Sequence, residues 1–125
     1  MKKNSLIKSF HNVFQDPGIR WVKEDHVSID SNSPLDNKSV LTPNVVRLSC
    51  GKFRMYYTGL GTARPIANSL GYILSAISED GLNWSKEEGI RIDVKLPFAC
   101  NRVLCPEIVP LKDGKWRMYF EGRTN

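Results

Sequence analysis

Two stretches of the chain alternate apolar and polar residues with a period of two. In KFRMYYT, Phe53, Met55 and Tyr57 interleave with Arg54, Tyr56 and Thr58, and in KWRMYFE, Trp116, Met118 and Phe120 share one face. That period predicts strands, since successive side chains of a strand point to opposite faces. Each is preceded by a short apolar run, PNVVRL or PEIVPL, and a glycine-containing turn, SCGK or KDGK. An apolar run, a tight turn and an alternating run together predict a β-hairpin. LGYILSAIS predicts a third strand, and GIRIDV a fourth after the turn EDGLNW. Leu6, Phe10, Val13 and Phe14 have helical spacing, but strand is the preferred assignment there, for a reason the next pattern supplies.

TPNVVRLSCGKFRMYYTG (Thr42 to Gly59) and CPEIVPLKDGKWRMYFEG (Cys105 to Gly122) are versions of one text, offset by 63 residues without a gap. The same offset pairs Gly18 with Gly81, Trp21 with Trp84, and Lys23-Glu24 with Lys86-Glu87. It also pairs Phe10, Val13 and Phe14 with Ile73, Ala76 and Ile77 of the third strand, hence the preference for strand. One repeat spans 18–80 and the next 81–125, the second without the later strands of the first. Units of this length with about four strands and a turn carrying Asp, Gly and Trp suit the blades of a β-propeller. In that architecture sheets bury both faces, which accounts for large side chains on both sides of RMYY and RMYF. Trp21 and Trp84 are then expected to pack between blades. GLGTAR (Gly59 to Arg64) lacks the spacing of a phosphate loop and is expected to connect elements.

Composition fits a single globular domain, 1–125, with 41% hydrophobic and 25% charged residues. The net charge of +5 is dispersed in short pairs, which points to a solvated basic surface and away from nucleic acid. MKKNSLIKSF begins like an export signal, yet Asn4, Ser5, Lys8 and Ser9 interrupt its apolar core; neither a signal nor a membrane span is read, and the expected compartment is the cytoplasm. Three cysteines, Cys50, Cys100 and Cys105, form no C-x-x-C pair and have only two histidines for company. They are expected to be reduced thiols, with no metal site and no cofactor.

With these residues in hand, the chain resembles the five-bladed β-propeller glycosidases, the superfamily of arabinanases, xylosidases, levansucrases and invertases that includes glycoside hydrolase family 43. The resemblance lies in P-x-V-V or P-E-I-V entering an inner strand, G-K-(F/W)-R-M-Y-(Y/F) as the next strand, and S-E-D-G-L-N-W (Ser78 to Trp84) as the turn before the outer strand. It implies an all-β fold, a partial five-bladed propeller of about two four-stranded antiparallel blade equivalents, and action on a glycosidic bond. Such chemistry needs two carboxyl groups facing each other, about 5–5.5 Å apart for retention or about 6.5–9.5 Å for inversion.

The resemblance makes Glu107, in C-P-E-I-V, the candidate catalytic carboxyl, matching the acidic residue that modulates pKa. Asn44 stands where the catalytic Asp of the preceding blade is expected, and an amide neither ionises nor attacks as a carboxylate. Asp16-Pro17 aligns with an outer turn and is no substitute. Glu121 and Arg123 replace Thr58 and Leu60 of the first repeat and, with Asn44, are the candidate substrate-binding residues; a plain surface ion pair is the competing reading. The expected partner is a carbohydrate. The alternative to hydrolysis is a non-catalytic carbohydrate-binding or assembly module of the same fold. Five blades of this length need about 315 residues, so the chain is expected to be a section of a longer propeller or to self-associate through its open blade edges.

Overall fold

The computed structural model describes residues 18–61 and 65–124. These are all-β apart from one 3-10 turn at Ile66–Asn68, with strands β1 (Ser39–Arg47), β2 (Phe53–Gly61), β3 (Leu70–Ser78), β4 (Ser85–Lys86), β5 (Arg102–Pro110) and β6 (Trp116–Arg123). Among the described residues no helix is long and apolar enough to cross a membrane. The strands form one mixed open sheet in the order β1-β2-β3-β5-β6, with β4 beside β3. β1, β2, β3 and β4 pair antiparallel in sequence order, as do β5 and β6. A single parallel pair, Gly71 with Arg102, joins the two groups. The strand expected over Phe10 to Phe14 lies outside the described residues, as does Asp16-Pro17.

The repeat is one of conformation as well as of letters. β1 and β5 break register at the same place, β1 between Leu41 and Asn44 and β5 between Leu104 and Glu107. Each bulge holds a non-glycine residue in left-handed backbone, Thr42 (φ 49°) and Cys105 (φ 54°). The hairpin turns match bond for bond: the Leu48 N–H reaches Lys52 O (2.8 Å) and the Leu111 N–H reaches Lys115 O (2.7 Å). Gly51 and Gly114 supply the positive φ both turns require. The approaches to β1 and β5 match as well, where Asp36 N–H to Ser33 O and Ala99 N–H to Leu96 O are both 3.0 Å.

The two faces of β2 and β3 nucleate separate clusters. Met55, Tyr57, Tyr72, Leu74 and Ala76 lie on one face, covered by Ile29, Leu35, Val40 and Trp84. Ile73, on the other, packs with Ala99, Val103, Met118 and Phe120 from the second unit. Burial on both faces is what the apolar run of LGYILSAIS anticipates. The glycines of GLG, expected in a connection, are instead the end of β2, because the 34–36 backbone crosses directly over them. A Cβ built on Gly61 would lie 2.2 Å from the Pro34 carbonyl oxygen.

Two further expectations are corrected. GIRIDV is not a continuous fourth strand: β4 holds only Ser85–Lys86, and Ile92 makes an isolated bridge to Ile73 beyond a turn at Gly89 (φ 86°). The segment is tied down by side chains instead. Arg54 donates twice to Glu87 (3.0 and 2.9 Å), and Ser75 Oγ donates to the same carboxylate at 2.6 Å. Trp21 does not pack between units; it is 77% exposed. Trp84 is half-buried, with its indole N–H on Gly81 O at 3.1 Å. Its turn is organised by Asp80, which accepts the N–H groups of Leu82 and Asn83 and the Asn83 amide, so that its pKa is well below the usual carboxylate range. The position aligned with Asp80 is Pro17, which has no carboxylate to do the same.

Asp36 is wholly buried. Its carboxylate accepts Ser33 N–H and Oγ–H (both 2.9 Å), Tyr57 Oη–H (3.3 Å) and the Lys86 ammonium (2.5 Å). Burial pushes its pKa up, and the bonds from Lys86 and Ser33 more than offset this, leaving it below 3.8. A carboxyl with a depressed folded pKa contributes stability that is complete above the unfolded value and is lost as pH falls through the folded one. Stability should therefore drop as pH falls below about 4, and Asp36→Asn should flatten that acid limb in urea melts taken across pH 2–6; an unchanged acid limb would refute the assignment. Gly61→Ala should cost about 2–3 kcal/mol by overpacking against the 34–35 backbone, measured in the same melts at neutral pH.

Candidate functional site

β1 and β5 meet where the second unit lies on the first. Thr58 is fully buried there, and its Oγ1 accepts the Cys105 N–H (3.0 Å) while sharing a hydrogen bond with Thr42 Oγ1 (2.8 Å). Asn44 Oδ1 accepts the Ile108 N–H at 3.2 Å. Both N–H groups belong to β5, that of Cys105 inside the bulge and that of Ile108 just past it, where pairing with β6 has resumed. Side chains of the first unit thus complete the backbone hydrogen bonding of the second, as buried N–H groups require. Asn44, a candidate substrate ligand by sequence, is half-buried at this junction with its amide oxygen engaged.

Glu107 pairs with Tyr119 across the β5–β6 hairpin, and Glu121 pairs with Leu104. Directly opposed residues share a face, and Tyr119, Glu121 and Arg123 alternate along one strand. Glu107, Tyr119, Glu121 and Arg123 therefore stand on the face turned away from the first unit, and all four are exposed. Arg123 Nε donates to Glu121 Oε1, and the Cys105 thiol lies 3.9 Å from the other Glu121 oxygen. The Arg123 guanidinium holds the Glu121 carboxyl below its usual pKa. Among the described residues the Glu107 side chain has no ion pair or hydrogen bond. Three of the four sequence candidates thus come together on one hairpin, and the fourth, Asn44, occupies the matching position one unit earlier.

Chemically, this face can accept and donate hydrogen bonds to a polyol and offers one aromatic ring, Tyr119, 53% exposed. On it Glu121 is stabilised as the anion by Arg123, whereas a glycosidase general acid needs a raised pKa. Among the described residues no group of three or more His, Cys, Asp and Glu side chains could hold a metal ion, and all three thiols are free and exposed.

Sequence reasoning passed over Thr58 as a hydrogen-bond acceptor and Asp36 as a buried carboxylate. The 63-residue offset, extended to Pro34 and Pro97, marks the second: Asp36 stands opposite Ala99. Full burial with every contact engaged makes Asp36 a structural anchor. Comparison with family models, with curated proteins and with solved structures finds no match to this chain.

Thr58→Val keeps the shape and removes the oxygen that the Cys105 N–H requires. It should cost about 1–2 kcal/mol in a denaturant melt, with Thr58→Ser restoring most of the loss. Equal stability of Val and wild type would show that the junction does not depend on this bond.

Proposed function

We propose that the two units are blades of a propeller of the glycosidase type, and that the chain itself is a carbohydrate-binding module that does not cleave its ligand. Glu107, Glu121 and Arg123 hold sugar hydroxyls, and Tyr119 offers its ring to the apolar face of a pyranose or furanose. The observation that carries the reading is the arrangement of these four side chains on one open face, with Glu107 unpaired beside an aromatic ring and an ion pair. Carboxylates and guanidinium groups make the strong, directional bonds that fix a sugar's orientation, and the ring adds apolar contact area.

Hydrolysis is the activity that the resemblance implies for the fold type, and two features favour binding without it in this chain. Asn44 replaces the expected catalytic Asp and spends its acceptor oxygen on the Ile108 N–H. Glu121 is held as the anion by Arg123, so Glu107 has no partner on its face with the pKa of a general acid.

Two variants test the reading. Glu107→Gln should weaken oligosaccharide binding on a glycan array by roughly ten-fold, the equivalent of about 1.4 kcal/mol, while leaving the thermal melt unchanged. Asn44→Asp retains an acceptor for Ile108 and restores a carboxyl at the position the resemblance marks. It should fold and release no aryl alcohol from aryl glycosides. Turnover by the wild type or by Asn44→Asp would favour the hydrolase, and absence of binding to any glycan would reject both.

A further inference from the structure

The contact between the two units has a matching half left open at each end of the described chain. Within the chain, the outer face of the β1–β2 hairpin receives the second unit: Asn44 and Thr58 accept β5 N–H groups, and Tyr56 packs into the cluster formed with Val103, Met118 and Phe120. One repeat later the same positions are Glu107, Glu121 and Tyr119. There they are exposed, with no described residue seated on them.

The complementary half is open on the first unit. β5 lies on its neighbour through a row that includes buried Pro106 and half-buried Ile108. The equivalent residues of β1 are Pro43 and Val45, both exposed. Val45 is 48% exposed. Beside them an apolar groove is lined by Val27, Ile29, Val40, Pro43, Met55 and Tyr57. It occupies the place where, one repeat later, Tyr56 sits against the second unit.

We propose that the open face of the β5–β6 hairpin receives the β1–β2 hairpin of a second copy of this chain. The internal junction supplies the template. Glu107 accepts the N–H of the second copy's Val45, as Asn44 accepts that of Ile108. Glu121 accepts the N–H of the second copy's Thr42, as Thr58 accepts that of Cys105, and Tyr119 enters the apolar groove. Carboxylates are stronger acceptors for these N–H groups than the amide and hydroxyl they replace. The bulges of β1 and β5 share register and left-handed backbone, so the donors are already oriented. The contact is head-to-tail: each copy presents both halves, and copies add until a ring closes or an open chain grows. This assembly goes beyond the glycan reading and does not rest on it, although a seated copy covers Tyr119 and excludes a glycan from it.

Sedimentation velocity on the purified chain, without glycan, tests the contact across concentrations up to about 100 μM, a range that detects micromolar affinities. The wild type should form dimers and larger species as concentration rises. Tyr119→Arg blocks the receiving face and Val45→Arg blocks the inserting one, so each alone should be monomeric. Both sites are exposed in the single chain, and circular dichroism verifies that each variant folds. Mixing the two variants restores one intact contact, Val45→Arg providing the receiving face and Tyr119→Arg the inserting one. The mixture should give a discrete dimer that grows no further. A wild type that stays monomeric, variants that associate as the wild type does, or a mixture that stays monomeric would each overturn the proposal.

Discussion

A bulged strand cannot satisfy its own backbone. At the β5 bulge and just past it, the N–H groups of Cys105 and Ile108 look to the neighbouring unit, and Thr58 and Asn44 supply the oxygens. The rest of the architecture depends on this exchange, because β3 and β5 share only one ladder pair. Apolar contact is non-directional and would not by itself fix the register of the second hairpin. Apolar packing of Val103, Met118 and Phe120 on Ile73 brings the units together, and directional bonds decide how they sit: the two accepted by Thr58 and Asn44, and those that Arg102 of β5 donates to the Ile66, Ala67 and Ser69 carbonyls.

The segments leading into and out of the strands are fixed by charged groups where regular pairing stops. Asp36 ties the approach to β1 to Lys86 of β4, and Glu87, the next residue, ties the same stretch to Arg54 and Ser75 on the sheet. These buried and half-buried carboxylates are costly to place, and each is compensated by several donors, as such groups must be. The result is a fourth position in the first unit's sheet held largely by side chains, in place of the strand that GIRIDV predicts. In the second unit the counterpart of Asp36 is Ala99, which packs as an apolar residue against Val103 and Gly122.

Changes between the repeats therefore fall into two kinds. Asp36 against Ala99 changes how a unit is anchored internally. Asn44 and Thr58 against Glu107 and Glu121 changes what a unit offers to whatever lies on its outer face. In the first unit that face carries neutral acceptors satisfied by a neighbour. In the second it carries an unpaired carboxyl, an ion pair and an exposed ring, a surface with stronger hydrogen-bonding capacity and an open position.

The sequence by itself determined the strands and the repeat. Period-two alternation in RMYY and RMYF, the glycine turns and the 63-residue offset are local or translational signals, and each survives as a strand, a turn with positive φ or a duplicated hydrogen bond. It also singled out Glu107, Glu121 and Arg123, because a residue that changes while its surroundings persist is visible without coordinates. Only the tertiary structure decided which face each occupies. A two-residue bulge resets the alternation along β5, and burial depends on whether a neighbour is present, so Thr58 is enclosed while its counterpart Glu121 is open. It likewise decided that Asn44 serves the junction, that Trp21 lies exposed while Trp84 packs, and that Asp36 is buried. Those outcomes turn on contacts between residues up to 64 positions apart, and local pattern carries no record of which distant group completes a hydrogen bond.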